Sequence, residues 1–232
     1  IRGDPDLSEP MGPQVRNTLE GHFKEIVTTE DGLLFDEISD LLLIFTVRNS
    51  RYNQTPALTL YTDDLPFLPK EFTDDLPINN IVTAKNRNGG EYTATDSTSS
   101  KGTQDPPDGV GEQRTTVDIN IDNEAVRLSQ HANWWLRRGT VDLPRYPQLT
   151  IDLNAKPELV ADVEAVDIGY VIELVNFREY TVRLYVLGYT EVIGTHSRTI
   201  TFLCAPDQQF NVGAYDDGVT VYDSDGTTAA AS

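Results

Sequence analysis

Residues 170–215 carry the pattern that most restricts this chain, one strand after another divided by turn residues. Apolar, β-branched and aromatic residues dominate 170–175, 180–190 and 198–203, with a shorter candidate at 209–215. Asn176, Gly194 and Pro206 stand between these runs as turns. Such spacing predicts a small antiparallel barrel or sandwich.

The upstream part mixes helical and strand periods. Val15, Leu19, Phe23 (with His22 beside it) and Ile26/Val27 follow i, i+4, i+8, which predicts a helix over 14–28 with one buried stripe. Gly32 then serves as a turn glycine. The apolar runs 33–35 and 41–47, around an acidic link at 36–40, predict an antiparallel hairpin packed on that helix. The second run is apolar on both faces and is expected as a central strand. Residues 57–61 make a further short strand. Asp and Pro crowd 63–80, so a surface excursion is expected there, because proline removes ladder donors.

The clearest hairpin is 81–85 with 91–95 around Asn88-Gly89-Gly90. Residues 96–112 are poor in apolar residues and rich in turn formers, and are expected as a long exposed loop. A half-buried strand at 115–121 leads into a second helix. Asp122 and Asn123 offer N-caps, and Ala125, Leu128, Ala132 and Trp135 mark one face. Arg137 and Arg138 fill the last turn and Gly139 follows. Alternation returns at 148–154. Residues 158–166 carry too much acid for a core helix, and Pro157 is placed to open a single turn. The fold class is therefore α+β, mainly antiparallel β: two helices packed on short sheets plus a C-terminal small β-barrel-like unit.

Charge narrows the function. Among 232 residues, 18 Lys+Arg face 37 Asp+Glu, a formal net charge of −19. That surplus repels phosphate backbones and anionic lipids, and no basic stripe interrupts it, so direct nucleic-acid binding is not expected. No apolar run approaches the ~18 residues of a membrane span. The one cysteine, Cys204, makes neither an internal disulfide nor a zinc site, and at the end of an apolar run it reads as a core thiol. His22, His131 and His196 fall on a helix, a helix and a turn without i, i+4 pairing. No GxSxG elbow occurs. No enzyme activity, cofactor or bound metal is expected from this inventory.

Weaker motifs are read against bland alternatives. The doublets Asp63-Asp64, Asp74-Asp75 and Asp216-Asp217 have the chemistry of glycosidase carboxylates but also of solvated loop acids, which is the commoner case. Asp223-Ser-Asp-Gly226 resembles the start of a calcium loop but lacks its later ligands. Gly109-Val-Gly111 is a lone GxG in a polar loop. Asn53-Gln-Thr55 is a glycosylation sequon, and Arg2-Gly-Asp4 is a tripeptide of the integrin-binding type. Trp134 and Trp135 are adjacent on a helix and cannot share a face. Trp135 belongs to the apolar stripe, while Trp134 points to a second packed element or to a partner, and it is the candidate interface residue. Ten tyrosines add further aromatic surface, suited to strand filling or to sugar and protein contacts.

Several segments resemble minor tail proteins of long-tailed phages and prophages of actinobacteria, of the tail-tip or baseplate-hub class. They are Asp31-Gly-Leu-Leu-Phe-Asp-Glu37, Arg48-Asn-Ser-Arg-Tyr-Asn-Gln-Thr-Pro-Ala57 and Trp135-Leu-Arg-Arg-Gly-Thr-Val-Asp-Leu-Pro-Arg-Tyr-Pro147. Val166-Asp-Ile-Gly-Tyr170 belongs with them, as does Leu187-Gly-Tyr-Thr-Glu-Val-Ile-Gly194 followed by Arg198-Thr-Ile-Thr-Phe-Leu-Cys-Ala-Pro206. The small-residue end, Tyr222-Asp-Ser-Asp-Gly-Thr-Thr-Ala-Ala-Ala231, completes the order.

The resemblance implies a structural virion protein that forms a ring, usually a homotrimer, closes the tail tube, meets other tail proteins and carries host-binding modules. It also implies small β-barrels combined with an α/β insertion. The expected division is an extension at 1–13, an insertion-type domain at 14–153, a barrel-like domain at 154–215 and a tail or linker at 216–232. Partner strands of the barrel are expected upstream of Ile1, in keeping with a chain that begins without Met and reads as processed or as part of something longer. The alternative reading is a carbohydrate- or receptor-binding β module using exposed aromatics, Trp134 among them. A cell-wall hydrolase built on an acidic pair is a distant third.

Overall fold

A computed structural model of the chain describes residues 8–37, 42–72, 78–122, 124–141, 145–177, 180–207, 220–222 and 228–230. The first helix, α1 (Leu19–Glu30), starts five residues later than the apolar spacing predicts. Thr18 fixes the start, its hydroxyl accepting from the Gly21 amide at 3.1 Å. Val15 and Leu19 are 56% and 69% exposed, so the front half of the predicted stripe is not buried. At the far end Asp31, not Gly32, takes the left-handed cap position, with φ of 51°. Gly32 is needed for another reason: a Cβ there would lie 2.8 Å from the Phe45 ring and the Thr46 carbonyl.

The strands β1 (Leu33–Glu37) and β2 (Leu42–Thr46) form the expected antiparallel hairpin. The expectation of a central strand fails. Among the described residues β2 pairs only with β1, and Leu42 and Leu43 are more than half exposed.

Five strands make the main sheet: β3 (Leu58–Tyr61), β7 (Gln148–Asp152), β8 (Val171–Phe177), β9 (Tyr180–Ile193) and β10 (Arg198–Pro206), in the order β3-β8-β9-β10-β7. All pairs are antiparallel except β3 with β8. The turns expected at Asn176 and Pro206 lie inside strands. Asn176 adopts φ of 56° where the β8–β9 register shifts, and Pro206 still faces Leu184 across β10–β9. The division expected at 153/154 runs through this sheet, since β3 and β7 flank β8–β10. The neighbours of β8–β10 thus come from within the chain. One face closes over Leu60, Leu149, Ile151, Ile172, Leu174, Leu184 and Phe202, none more than 1% exposed. Each such side chain contributes ~1.5–3 kcal/mol of burial. A short turn at Pro157–Leu159 and the helix α3 (Val160–Glu164) lay Val163 and Val166 under this core, so the acidic segment is helical after all.

A second sheet holds β4 (Ile81–Asn86), β5 (Glu91–Thr95) and β6 (Arg114–Ile119) in the order β5-β4-β6. The Asn-Gly-Gly hairpin forms as predicted, and β6 joins β4 in parallel. The helix α2 (Glu124–Gly139) packs on it through Leu128 and Ala132. Gly139 is the last helical residue and lies against the Asn79 backbone, leaving no room for a Cβ. The strands β11 (Thr220–Tyr222) and β12 (Thr228–Ala230) pair with each other. Asn123, 209–215, Asp74-Asp75, Asp216-Asp217, Asp223-Ser-Asp-Gly226 and Arg2-Gly-Asp4 lie outside the described residues, as does the side chain of Ala125.

Candidate functional site

Where α1 ends, α2 passes over the junction between the two sheets, and an ionic network fills the gap. Its acids are Glu9, Glu30 and Asp31. Its cations are Arg48 and Arg51, from a 3-10 turn (Arg48–Arg51), with Arg127 and Arg138 from α2. The Asp31 carboxylate accepts from Arg51 at 2.8 Å, from Arg138 at 2.6 Å and from the Trp134 indole at 2.8 Å. Glu9 accepts from Arg48 at 2.8 Å and from Arg127. Glu30 binds two backbone amides, Glu9 at 2.6 Å and Arg48 at 3.0 Å. Glu30, Asp31 and Arg51 are all buried. Buried charges persist only when matched in this way.

The arrangement is chemically quiet. Each carboxylate is committed to arginine, indole or amide donors, so none is poised as a base. His131 lies within the network, fully buried, with Nε2 3.7 Å from Glu9. Burial, reinforced by the Arg48 charge, lowers its pKa to about 4, so it is neutral at pH 7. Cys204 is buried in β10, and burial pushes its thiol up to about 12. His22 is half-buried on α1 and His196 is exposed in the β9–β10 turn. Among the described residues no three of His, Cys, Asp and Glu converge as metal ligands.

Trp134, the predicted interface residue, is 8% exposed and packs inside the chain against Val171 and Tyr185. The Tyr52 ring meets it edge-on at 5.2 Å. It takes the second packed element, and the exposed platform attributed to it is absent. Trp135, placed on the buried stripe, is the more exposed of the two and carries the Arg138 guanidinium 4.6 Å from its ring. Asp63 is exposed, while Asp64 pairs with Lys156 at 3.0 Å and caps the Tyr61 amide at 2.9 Å. The doublet is therefore not a facing carboxylate pair. Asn53 is exposed at φ of 48°. The stretch at 96–112 is exposed in part but pinned at its base: Asn80, fully buried, donates to the carbonyls of Lys101 at 3.0 Å and Gly111 at 2.7 Å.

Sequence reading missed the network because its members lie far apart in the chain and none carries a motif. The nearest signal was the acidic pair Glu30-Asp31 closing a helix, followed by Arg48 and Arg51 around one turn.

Surfaces available to partners lie elsewhere. A polar cavity of about 400 Å³ opens between α1 and the second sheet, where Arg87 pairs with Glu25 at 2.5 Å. Tyr61, Phe67, Leu68, Phe72 and Tyr180 are exposed, and Tyr61 and Tyr180 lie at one end of the main sheet, where Tyr146 and Tyr180 share a hydroxyl hydrogen bond at 2.7 Å. At the opposite end β9 outruns β8: the β8 pairing stops at Tyr185, while Leu187, Val192 and Ile193 are at least half exposed. No described helix is long and apolar enough to cross a membrane.

No protein-family model and no curated protein sequence matches this chain. Solved structures do. The 43 kDa tail protein of prophage MuSo2 from Shewanella oneidensis aligns at a TM-score of 0.55 and 11% identity, over 87% of this chain and 56% of that one. A tail protein from Neisseria meningitidis MC58 aligns at 0.55 and 13%, over 86% and 59%. A chain in the virion of a native gene transfer agent particle aligns at 0.55 and 11%, over 85% and 42%. This chain therefore spans 42 to 59% of the length of these three proteins. The mixed α+β arrangement described above is a fold that phage tail proteins share.

Proposed function

We propose that this protein is a structural, non-enzymatic component of a bacteriophage tail tip, a minor tail protein or baseplate hub of the actinobacterial kind its sequence resembles. In this reading it assembles as a homotrimeric ring at the end of the tail, meets other tail proteins, and supports host attachment and genome delivery. The observation that carries the reading is the fold held in common with two tail proteins over 86 to 87% of the chain. The committed state of every carboxylate in the buried network supports an architectural role. A net charge of −19 fits a conduit for DNA, because a negative lumen repels passing phosphates.

The test is the mass of the protein in solution by light scattering, followed by negative-stain imaging. A species of three times 25.8 kDa with an annular outline is expected. A monomer at all concentrations that also fails to join purified tails would overturn the reading. The exposed aromatics Tyr61, Phe67, Phe72 and Tyr180 favour one second reading, a glycan-binding module. A glycan array on the monomer separates the two.

A further inference from the structure

Residues 8–13 form a strap whose contacts are complete in themselves. Met11 bridges Ile121 in the antiparallel sense, flanked by Asp122 N–H to the Pro10 carbonyl at 3.0 Å and Gly12 N–H to the Asn120 carbonyl at 3.1 Å. The Asn120 amide also donates to the carbonyls of Gly12 at 3.3 Å and Pro13 at 3.2 Å. Glu9 then sets its carboxylate, 8% exposed, between Arg48 and Arg127 beside His131. Without an acid there, two arginines would lie close together over a fully buried imidazole. The cradle therefore demands a carboxylate on an extended segment.

The connection from strap to body is of a different kind. Residues 13–18 are all exposed, and Val15 and Leu19 stay in water although they lie on the apolar stripe. Six residues, extended, span roughly 20 Å. The strap is held by its receptor rather than by its tether.

We propose that the strap is exchanged between copies: in the ring, Glu9 of one protomer enters the Arg48–Arg127–His131 cradle of the next, and Val15 and Leu19 are covered on the way. The occupant is a second copy because the cradle's own key belongs to this chain. Exchange reproduces the contacts of the closed form, so a segment joined to the body by an exposed connection swaps at low cost. The proposal rests on the ring reading and specifies how neighbouring protomers are joined.

The test is the full chain carrying Met11→Cys and Ile121→Cys, oxidised and run on a non-reducing gel. The flanking bonds make this a non-hydrogen-bonded pair, with Cα atoms about 4.5 Å apart, within reach of a disulfide. An exchanged strap links neighbours, so covalent multimers are expected to hold most of the protein in the ring fraction. A ring fraction that gives only monomer with an internal disulfide overturns the exchange and leaves the ring standing. A wild-type protein that forms no ring overturns both. Because Ile121 is buried, a second variant inserts three glycines after Val15. A longer tether favours the closed form, so at least threefold more monomer is expected at equal concentration, and an unchanged ring population counts against exchange.

Discussion

Trp134 Nε1 donates to Asp31 Oδ2 at 2.8 Å, joining residues 103 apart at the meeting point of α1, α2 and the main sheet. The same carboxylate holds Arg51 and Arg138, so Asp31 neutralises two cations while capping α1 in a left-handed conformation. Asp31→Asn keeps the shape and the tolerance for positive φ but removes the charge. It should cost ~3–5 kcal/mol, the range for stranding a buried ionic partner. Trp134→Phe removes one charged hydrogen bond and should cost ~1.5–3 kcal/mol. Urea denaturation measures both, and an Asp31→Asn protein within ~1 kcal/mol of wild type would show that the network is not what holds this junction.

His131 makes stability depend on pH in a definite direction. Its unfolded value is 6.5 and its folded value about 4, so between these the unfolded chain binds the extra proton. This contribution is complete above pH 6.5 and is lost as the pH falls toward 4, amounting to ~3 kcal/mol at most. His131→Leu removes the titration and keeps the site apolar. The difference between wild type and variant in urea midpoint should change between pH 6.5 and 4 and stay level above 7. A constant difference across that window would mean that His131 does not stay neutral in the fold.

Cys204 should resist thiol reagents in the native protein. Its sulfur is buried, and burial holds the thiol near 12, so little thiolate exists at pH 8. Labelling with a disulfide reagent is expected to proceed only as the chain unfolds, its rate rising with urea. Prompt labelling in buffer would place β10 in an opening equilibrium that its central position in the sheet does not suggest.

Local chemistry made some of this fold legible. The Asn88-Gly89-Gly90 hairpin and the Arg137-Arg138-Gly139 helix end are set by residues adjacent in sequence; the hairpin forms where expected and the helix ends one residue later, at Gly139. The parallel pairing of β3 with β8 joins Leu58 to Ile172, and no local pattern reports a partner that far away. That pairing carries the main sheet across the expected division at 153/154. The spacing of Trp134 and Trp135 predicts their faces only if one side of α2 is buried. The helix lies between a sheet and the ionic junction, so burial spreads round it and Trp134 becomes the deeper ring. The cradle around Glu9 was invisible for a related reason: Arg48 and Arg127 stand 39 and 118 residues away, and only the folded chain gives them a common acid.

Asn80 controls whether the stretch at 96–112 behaves as a loop or as part of the body. Its amide donates to the Lys101 and Gly111 carbonyls, and its Oδ1 accepts from the Gln113 amide at 2.7 Å. Its backbone meets the same region, with Asn80 N–H on the Gln113 carbonyl at 3.0 Å and Asp96 N–H on the Asn80 carbonyl at 2.9 Å. Asn80→Ala leaves one amide and two carbonyls without these partners and should cost ~2–4 kcal/mol. Asn80→Asp sets an acceptor against two carbonyls and should be worse. Amide exchange at Gln113 and Gly111 should accelerate together in Asn80→Ala while exchange in β8 and β9 stays slow. Equal acceleration everywhere would mean that the loop has no stability of its own and that Asn80 acts only through global unfolding.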